Sequence, residues 1–377
     1  MRLSNCKFLV LEVVKMTDML LFAKGYAEYC IVEDADSLIS PTSLPDKLKI
    51  GKPKKLSSES VKGRMHAFDT HLGKVYYPRV QGGIVECDLA SGASQNFCTE
   101  TQFGCVAYEP ETKVLYAGLV GGGHVYSFHA AGASRVKSTP VDHIITDASA
   151  GNAPEGEFYA MVAKHDIPAN TTYLYLTQGK SDSRLIVHIV DPSKQGGGGF
   201  DDDFFSRGHG VCRLNLFEPN NIQVSPNGDF LVVGSNGGFE GNKLVCVRLA
   251  STPPESHTIQ NPIYNSVGTE FDLEVMLNGW AVVGKSVYAQ VVTKENPPRF
   301  FLMTESEDYS KPKIVDARTQ LNTKGTVGGG GVSPDGKWMY FHSIERMFAF
   351  NPATKELRQG IFDKLMPLGD WWSYSWR

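Results

Sequence analysis

The stretch Gly330-Gly-Val-Ser-Pro-Asp-Gly-Lys337, followed by Trp338-Met-Tyr-Phe341, decides the fold of this chain. An apolar run precedes the Ser-Pro-Asp-Gly turn and another apolar run follows it. Proline favours a φ of about −65° early in such a turn and glycine supplies a positive φ, so the stretch predicts a tight β-hairpin. The same arrangement recurs at Asn221-Ile-Gln-Val-Ser-Pro-Asn-Gly-Asp229, which is followed by Phe230-Leu-Val-Val233.

Two further copies of the unit occur earlier in the chain. One runs from Met65 to Lys74 before Val75-Tyr-Tyr77, and the other runs from Cys105 to Lys113 before Val114-Leu-Tyr116. Each of the four units is followed by a third β-rich run. These third runs begin at Ile84, His124, Leu244 and Met347. The sequence therefore repeats a unit of three strands joined by short turns.

The spacing of the units predicts the architecture. Lys113 follows Lys74 by 39 residues, Asp229 follows Lys113 by 116 and Lys337 follows Asp229 by 108. The two long gaps each have room for two units, and strands for the missing units are predicted at 158–190 and 280–303. Periods of about 40–50 residues of strand predict a β-propeller.

We predict an all-β, six-bladed β-propeller, with seven blades as the alternative if residues 20–60 hold a full blade. The predicted domain organisation is an N-terminal extension and ring-closing segment over residues 1–60, followed by the propeller over 61–377. The run 8–14 is broken by Glu12. It predicts a strand or a dispensable extension better than a signal peptide.

Composition narrows the class of partner. The 377 residues are 41% hydrophobic and 21% charged with a net charge of −4, so no overall positive field attracts nucleic acid. No apolar run is long enough for a membrane span. The seven cysteines are scattered without zinc spacing, which favours free thiols in a reducing compartment. We predict a cytoplasmic monomer that binds a small molecule.

The candidate site follows from the predicted fold. In a propeller the innermost strands begin at one mouth of the central channel, where convergent polar groups form the usual ligand site. The aligned units place Met65 and His66 there, together with Asn220 and Asn221. His66 is a candidate general acid or base. Its alternative is a hydrogen-bonded structural histidine.

Other polar residues are candidates for the same mouth. His209 lies just before the fourth predicted unit, and Asp142 and His143 precede the third. Glu270 and Asp272 recur at a spacing of two, on one face of a predicted strand. These carboxylates either face solvent or supply one protonated acid in the channel.

The run Glu218-Pro-Asn-Asn221 before Ser-Pro-Asn-Gly228 resembles sugar-lactone lactonases of the gluconolactonase–regucalcin family. That resemblance implies a metal-dependent hydrolase in which an asparagine amide oxygen holds a central divalent cation. The chain lacks the family's early glutamate and later aspartate motifs, so we predict no metal, with a divalent metal at Asn220 as the alternative. The run 330–343 also resembles six-bladed propellers of the lactonase and royal-jelly/yellow groups.

A second likeness covers more of the chain. The segments Met19–Cys30, His66–Asp69 and Glu218–Asn221 resemble the propeller family known as protein fourteen of fungal trichothecene core clusters. The resemblance implies a step in mycotoxin biosynthesis on a sesquiterpenoid substrate. In that step a hydroxyl attacks an allylic carbon with loss of water, which closes an oxygen heterocycle without an organic cofactor.

For this cyclase hypothesis the candidate residues are those of the predicted mouth, chosen from position and not from the family. His66 and His209 transfer protons, and an acid from Asp142, Glu270 or Asp272 assists. Asn220 and Asn221 orient hydroxyls, with Met65 and His143 beside the substrate. The alternatives are the metal-dependent lactonase-like hydrolase and a non-catalytic, virulence-associated binding propeller.

Overall fold

The structure is a computed structural model built almost entirely of β-strands. It describes residues 18–23, 28–40, 47–55, 66–69, 72–79, 81–99, 102–120, 124–129, 143–144, 158–168, 170–179, 183–190, 211–214, 219, 221–224, 230–234, 244–248, 276–283, 286–292, 299–304, 313–320, 328–333, 335–351, 353–354, 356–366 and 371–376. Within these ranges the one helix is a short 3₁₀ turn, Ala35–Leu38. No helix in the described ranges has the length and apolar character needed to cross a bilayer.

The first three strands of the chain are β1 (Met19–Ala23), β2 (Glu28–Val32) and β3 (Lys54–Lys55). Blade 1 follows as β4 (Ala67–Asp69), β5 (Lys74–Pro78), β6 (Ile84–Asp88) and β7 (Ser94–Cys98). Blade 2 is β8 (Phe103–Glu109), β9 (Val114–Leu119), β10 (His124–His129) and β11 (His143–Ile144). Blade 3 is β12 (Phe158–Asp166), β13 (Thr171–Gln178), β14 (Arg184–Val190) and β15 (Val211–Arg213).

The second half of the chain repeats the pattern. Blade 4 has the described strands β16 (Asn221–Val224), β17 (Phe230–Gly234) and β18 (Leu244–Arg248). Blade 5 is β19 (Met276–Val283), β20 (Ser286–Val292), β21 (Arg299–Thr304) and β22 (Lys313–Gln320). Blade 6 is β23 (Gly328–Val332), β24 (Met339–His342), β25 (Arg346–Asn351) and β26 (Glu356–Ile361), and the last strand is β27 (Trp371–Trp376).

A seventh blade combines the first three strands of the chain with the last one. Strand β27 pairs antiparallel with β1, Met19 lying opposite Trp376, and β1 pairs on its other edge with β2. The resulting order is β27-β1-β2-β3. A single parallel pairing, Gly330 with Ser373, connects this blade to the innermost strand of blade 6. The described strands therefore make seven blades, the larger of the two numbers that the sequence allows.

The strands confirm the predicted all-β propeller. Each predicted hairpin pairs as expected where it is described, and Gly336 has the positive φ, 68°, that its turn requires. The predicted boundary at residue 60 falls between described ranges and stays a prediction. The aromatic run at the C-terminus forms strand β27.

Apolar clusters hold neighbouring blades together around the ring. The cluster between blades 1 and 2 includes Tyr76 and Phe103, and a larger one runs from blade 2 through blade 3 to Ile222 of blade 4. Tyr29 of β2 packs with Val75 and Cys87 of blade 1, which closes the ring on that side. Face-to-face burial of these sheets is the main force that assembles the blades.

An innermost strand that follows a described four-stranded blade starts at the same end of the ring as the innermost strand of that blade. A four-stranded antiparallel sheet returns the chain to the end where it began, so the next blade starts there too. The innermost strands also contact one another in the order β4, β8, β12, β16, β19, β23 and β27. We call the end at which they start the mouth, and the opposite end, where each first hairpin turns, the turn face.

Candidate functional site

His66 lies at the mouth, directly before β4. Its side chain is partly exposed, and burial of the remainder lowers the pKa of the imidazole to about 4. The ring is therefore uncharged at neutral pH. A neutral imidazole can serve as a proton acceptor for a nucleophile at the mouth.

A second histidine lies at the mouth end of blade 6. His342 is the last residue of β24 and lies opposite Gly328, the first residue of β23. It is 4% exposed, and desolvation lowers its pKa to about 3. The next residue, Ser343, is fully buried and its Oγ accepts the backbone N–H of Arg346 at 3.1 Å. His342 is thus a neutral, enclosed group beside a fixed turn.

The innermost strand of blade 6 has four consecutive glycines, Gly328–Gly331. The pairing with β24 shifts register between Gly328 and Gly331, which marks a bulge. Glycines carry no side chain to cover the backbone, so another chain or a ligand can approach closely here. The neighbouring strand β27 uses this access at Gly330.

The start of blade 4 is fixed by a residue of blade 3. Thr177 of β13 is fully buried, and its hydroxyl donates to the carbonyl of Pro219 at 2.5 Å. Pro219 is two residues before Asn221, the first residue of β16. The backbone at Pro219, just before β16, is therefore anchored at the mouth.

The turn face presents carboxylates that are occupied by local hydrogen bonds. Asp69 accepts the backbone N–H of Leu72 at 3.1 Å, and Glu109 accepts both the N–H and the hydroxyl of Thr112. Asp335 accepts the N–H of Lys337. These acids shape the first hairpin of their blades, which leaves the mouth as the better candidate for chemistry.

The structure locates three of the sequence-predicted site residues. His66 and the backbone of Asn221 start innermost strands, so both lie at the mouth, and the backbone of His143 lies in β11, the outermost described strand of blade 2. The other candidates lie outside the described residues. They are Met65, Asp142, His209, Asn220, Glu270 and Asp272.

Among the described residues, no group of three His, Cys, Asp or Glu side chains is arranged to hold a metal ion. Four cysteines with described positions, Cys30, Cys87, Cys98 and Cys105, are free thiols. Burial raises the pKa of Cys30 to about 12 and that of Cys87 to about 11. Neither of these two thiols is a reactive nucleophile at neutral pH.

Sequence reasoning missed His342 and Thr177. Each ends the apolar run of a second strand, where the chain returns to the mouth. The hairpin register alone could have placed both residues there. Their burial could not be inferred, because it depends on which blades pack against them.

No protein-family model and no curated protein matches this sequence. Similarity is found among solved structures. A protein from Lactobacillus plantarum aligns with a TM-score of 0.56 at 10% identity, over 96% of this chain and 100% of that one. The periplasmic gluconolactonase PpgL of Pseudomonas aeruginosa aligns with a TM-score of 0.54 at 11% identity, over 95% and 99% of the two chains.

A candidate 6-phosphogluconolactonase of Bacteroides fragilis aligns with a TM-score of 0.51 at 11% identity, over 97% of this chain and 99% of that one. At such identities the likeness shows the fold alone. The comparisons support the propeller likeness drawn from the sequence, and gluconolactonase-type proteins are among the structures found. None of these comparisons supports the likeness to the trichothecene cluster family.

Proposed function

We propose that this propeller hydrolyses a small cyclic ester at the mouth of its channel, with His66 as general base. The observation that carries the proposal is the position of His66, a partly exposed imidazole at the start of β4 whose pKa is lowered to about 4. It stays in the proton-accepting form throughout the neutral range.

The chemistry requires one water molecule and one base. His66 takes a proton from the water as its oxygen attacks the ester carbonyl, which gives a tetrahedral oxyanion. The oxyanion collapses and the ring oxygen leaves, taking the proton back from the imidazolium. The product is an open-chain hydroxy acid, which ionises and releases one proton into solution at neutral pH.

Backbone N–H groups of β23 are the candidates to stabilise this oxyanion. The edge of β23 that lies away from β24 is paired with β27 at Gly330. In β23 the run Gly328–Gly331 leaves that edge without side-chain cover. Preorganised N–H donors stabilise developing negative charge by several kcal/mol, typically about 3–4 for one donor.

The comparisons favour the lactonase form of this chemistry over the alternatives. Two of the structural neighbours are named for lactone hydrolysis, a gluconolactonase and a candidate 6-phosphogluconolactonase. Ring closure of a sesquiterpenoid, which the other sequence likeness implies, has no support from the comparisons and stays a prediction. A divalent metal at Asn220 also stays a prediction.

The test follows proton release from glucono-δ-lactone and γ-butyrolactone incubated with the full chain, after subtraction of spontaneous hydrolysis. We expect His66→Gln to lower kcat/KM by about a hundredfold or more, as is typical for loss of a general base. In the unaltered protein kcat/KM should fall about tenfold per pH unit below pH 4, because the base becomes protonated, and the variant should lose this dependence.

A matched control is His165→Gln. His165 lies in β12 near the turn face, with its Nδ1 3.0 Å from the Thr172 hydroxyl, and its loss should leave the rate unchanged. Hydrolysis abolished by EDTA would assign water activation to a metal and remove His66 from the role. Absence of hydrolysis with every lactone, combined with ring closure of an allylic triol, would favour the cyclase hypothesis instead.

A further inference from the structure

The hydroxyl of Thr177 makes one directed contact across the boundary between blades 3 and 4. Its Oγ1 lies 2.5 Å from the Pro219 carbonyl oxygen and 3.4 Å from that of Ala160. A hydroxyl has a single proton to donate, so the shorter contact is the principal bond. Both Thr177 and Pro219 are buried, which excludes water as a ready replacement for this donor.

The acceptor of this hydrogen bond, the Pro219 carbonyl, lies just before the first described strand of blade 4. Proline has no backbone N–H and a fixed φ, so its carbonyl is the polar backbone group through which the fold can hold it. Two residues later Asn221 begins β16, where it pairs with Gly234. Pro219 is therefore held by Thr177, and the backbone of Asn221 is held by β17.

We propose that Thr177 is a positioning residue that fixes the start of β16 at the mouth, so that Asn221 can orient the substrate. The inference rests on the proposed function, because it assigns Asn221 to the substrate. Thr177 itself is enclosed and does not touch the substrate. It acts through Pro219, which lies just before β16.

Blade 3 contains a second buried threonine, Thr172, that serves as a matched control for Thr177. Thr172 lies on the same strand and is equally buried, but it is at the turn face, where its hydroxyl contacts His165. Thr177→Val and Thr172→Val each replace a buried hydroxyl by a methyl group of similar size. Only the first is expected to disturb the mouth.

For glucono-δ-lactone we expect Thr177→Val to lower kcat/KM by about tenfold, mainly through KM, because the substrate is held less well. The fall in rate below pH 4 should not move, since His66 is untouched. Thr177→Ser, which restores the hydroxyl, should recover KM, and Thr172→Val should leave it unchanged. An equal rise in KM in Thr172→Val and Thr177→Val would overturn the proposal.

Hydrogen–deuterium exchange separates this inference from the proposed function. Thr177→Val should speed exchange of the amides in 221–224 relative to Thr172→Val, whether or not any lactone is hydrolysed. No hydrolysis by the unaltered chain would refute the proposed function, whereas unchanged exchange in 221–224 would refute the role of Thr177. Should Thr177→Val fail to fold, Thr177→Cys keeps a similar volume with only a weak S–H donor and serves in its place.

Discussion

At the scale of single residues, burial decides the charge of the histidines at the mouth. Desolvation penalises the imidazolium, which is why the pKa of His342 falls to about 3 and that of His66 to about 4. In the unfolded chain a histidine titrates at about 6.5. Between these values the unfolded state binds more protons than the folded state, so stability is lost as the pH falls from about 6.5 toward 3.

We expect His342→Gln to weaken this acid sensitivity. At pH 4.5 the unfolded state gains about 2–3 kcal/mol from protonation of a histidine that stays neutral when folded, and the variant lacks this contribution. The loss of unfolding free energy between pH 7 and pH 4.5, measured by urea denaturation, should be smaller in the variant by about that amount.

Other groups also titrate between pH 7 and pH 4.5. The test therefore uses the difference in unfolding free energy between His342→Gln and the unaltered protein at each pH. His165→Gln serves as the control, because it removes a histidine that lies near the turn face and contacts Thr172. Parallel pH curves for His342→Gln and the unaltered protein would show that His342 is not held neutral by the fold.

Single residues differ in how well the sequence predicts them. The positive φ of Gly336 follows from its turn chemistry, and the location of His66 follows from the register of its hairpin. The depressed pKa of His342 does not follow from either. It depends on how completely neighbouring strands enclose the ring, and that is a property of the assembled ring of blades.

At the scale of elements, close approach between blades depends on small residues. Gly118 of β9 faces blade 3, and a Cβ atom at this position would lie 3.1 Å from Cδ2 of Phe158 and 3.0 Å from Sγ of Cys105. Both neighbours are fully buried or nearly so, with little room to move. The contact between blades 2 and 3 therefore requires glycine here.

We expect Gly118→Ala to destabilise the protein by about 1–3 kcal/mol, the usual cost of overpacking a close-packed core. Urea denaturation at pH 7 measures the effect. Gly51→Ala is the control, because a Cβ at Gly51 meets Ile31 at an ordinary 3.4 Å. Equal stability of the two variants would contradict a tight contact between β9 and Phe158.

The strands of blades 1–6 could be predicted from the sequence because each first hairpin brings its partners within a short loop. Blade 7 could not be predicted in the same way. Its outer strands β1 and β2 precede a 3₁₀ turn and a long connection to β3, and its innermost strand lies at the other end of the chain. No local pattern pairs Met19 with Trp376.

At the scale of the whole molecule, the pairing of β1 with β27 closes the ring. Leu20 lies opposite Ser375, and Leu21 lies opposite Tyr374. Consecutive register positions alternate between the two faces of a sheet, so the two pairs belong to opposite faces. This register gives a direct test of closure.

We expect the double substitution Leu20→Cys/Ser375→Cys to form a disulfide under oxidising conditions and to raise the Tm, since the bond would close a very long loop. Reduction should reverse the gain. Disulfide formation is checked by mass spectrometry and non-reducing electrophoresis. The offset pair Leu20→Cys/Tyr374→Cys places the thiols on opposite faces, so it should not crosslink, and efficient crosslinking of that pair would contradict the register.

The same closure sets an order of events during synthesis. The strands β1 and β2 leave the ribosome early, but β27, their innermost partner, begins 339 residues after Val32. At about 5–20 residues per second the gap lasts roughly 20–70 s. Throughout that interval one edge of the apolar strand Met19–Ala23 has no partner from its own blade. A chaperone, or a temporary pairing of the N-terminal strands, would keep that edge from pairing with neighbouring chains on a polysome.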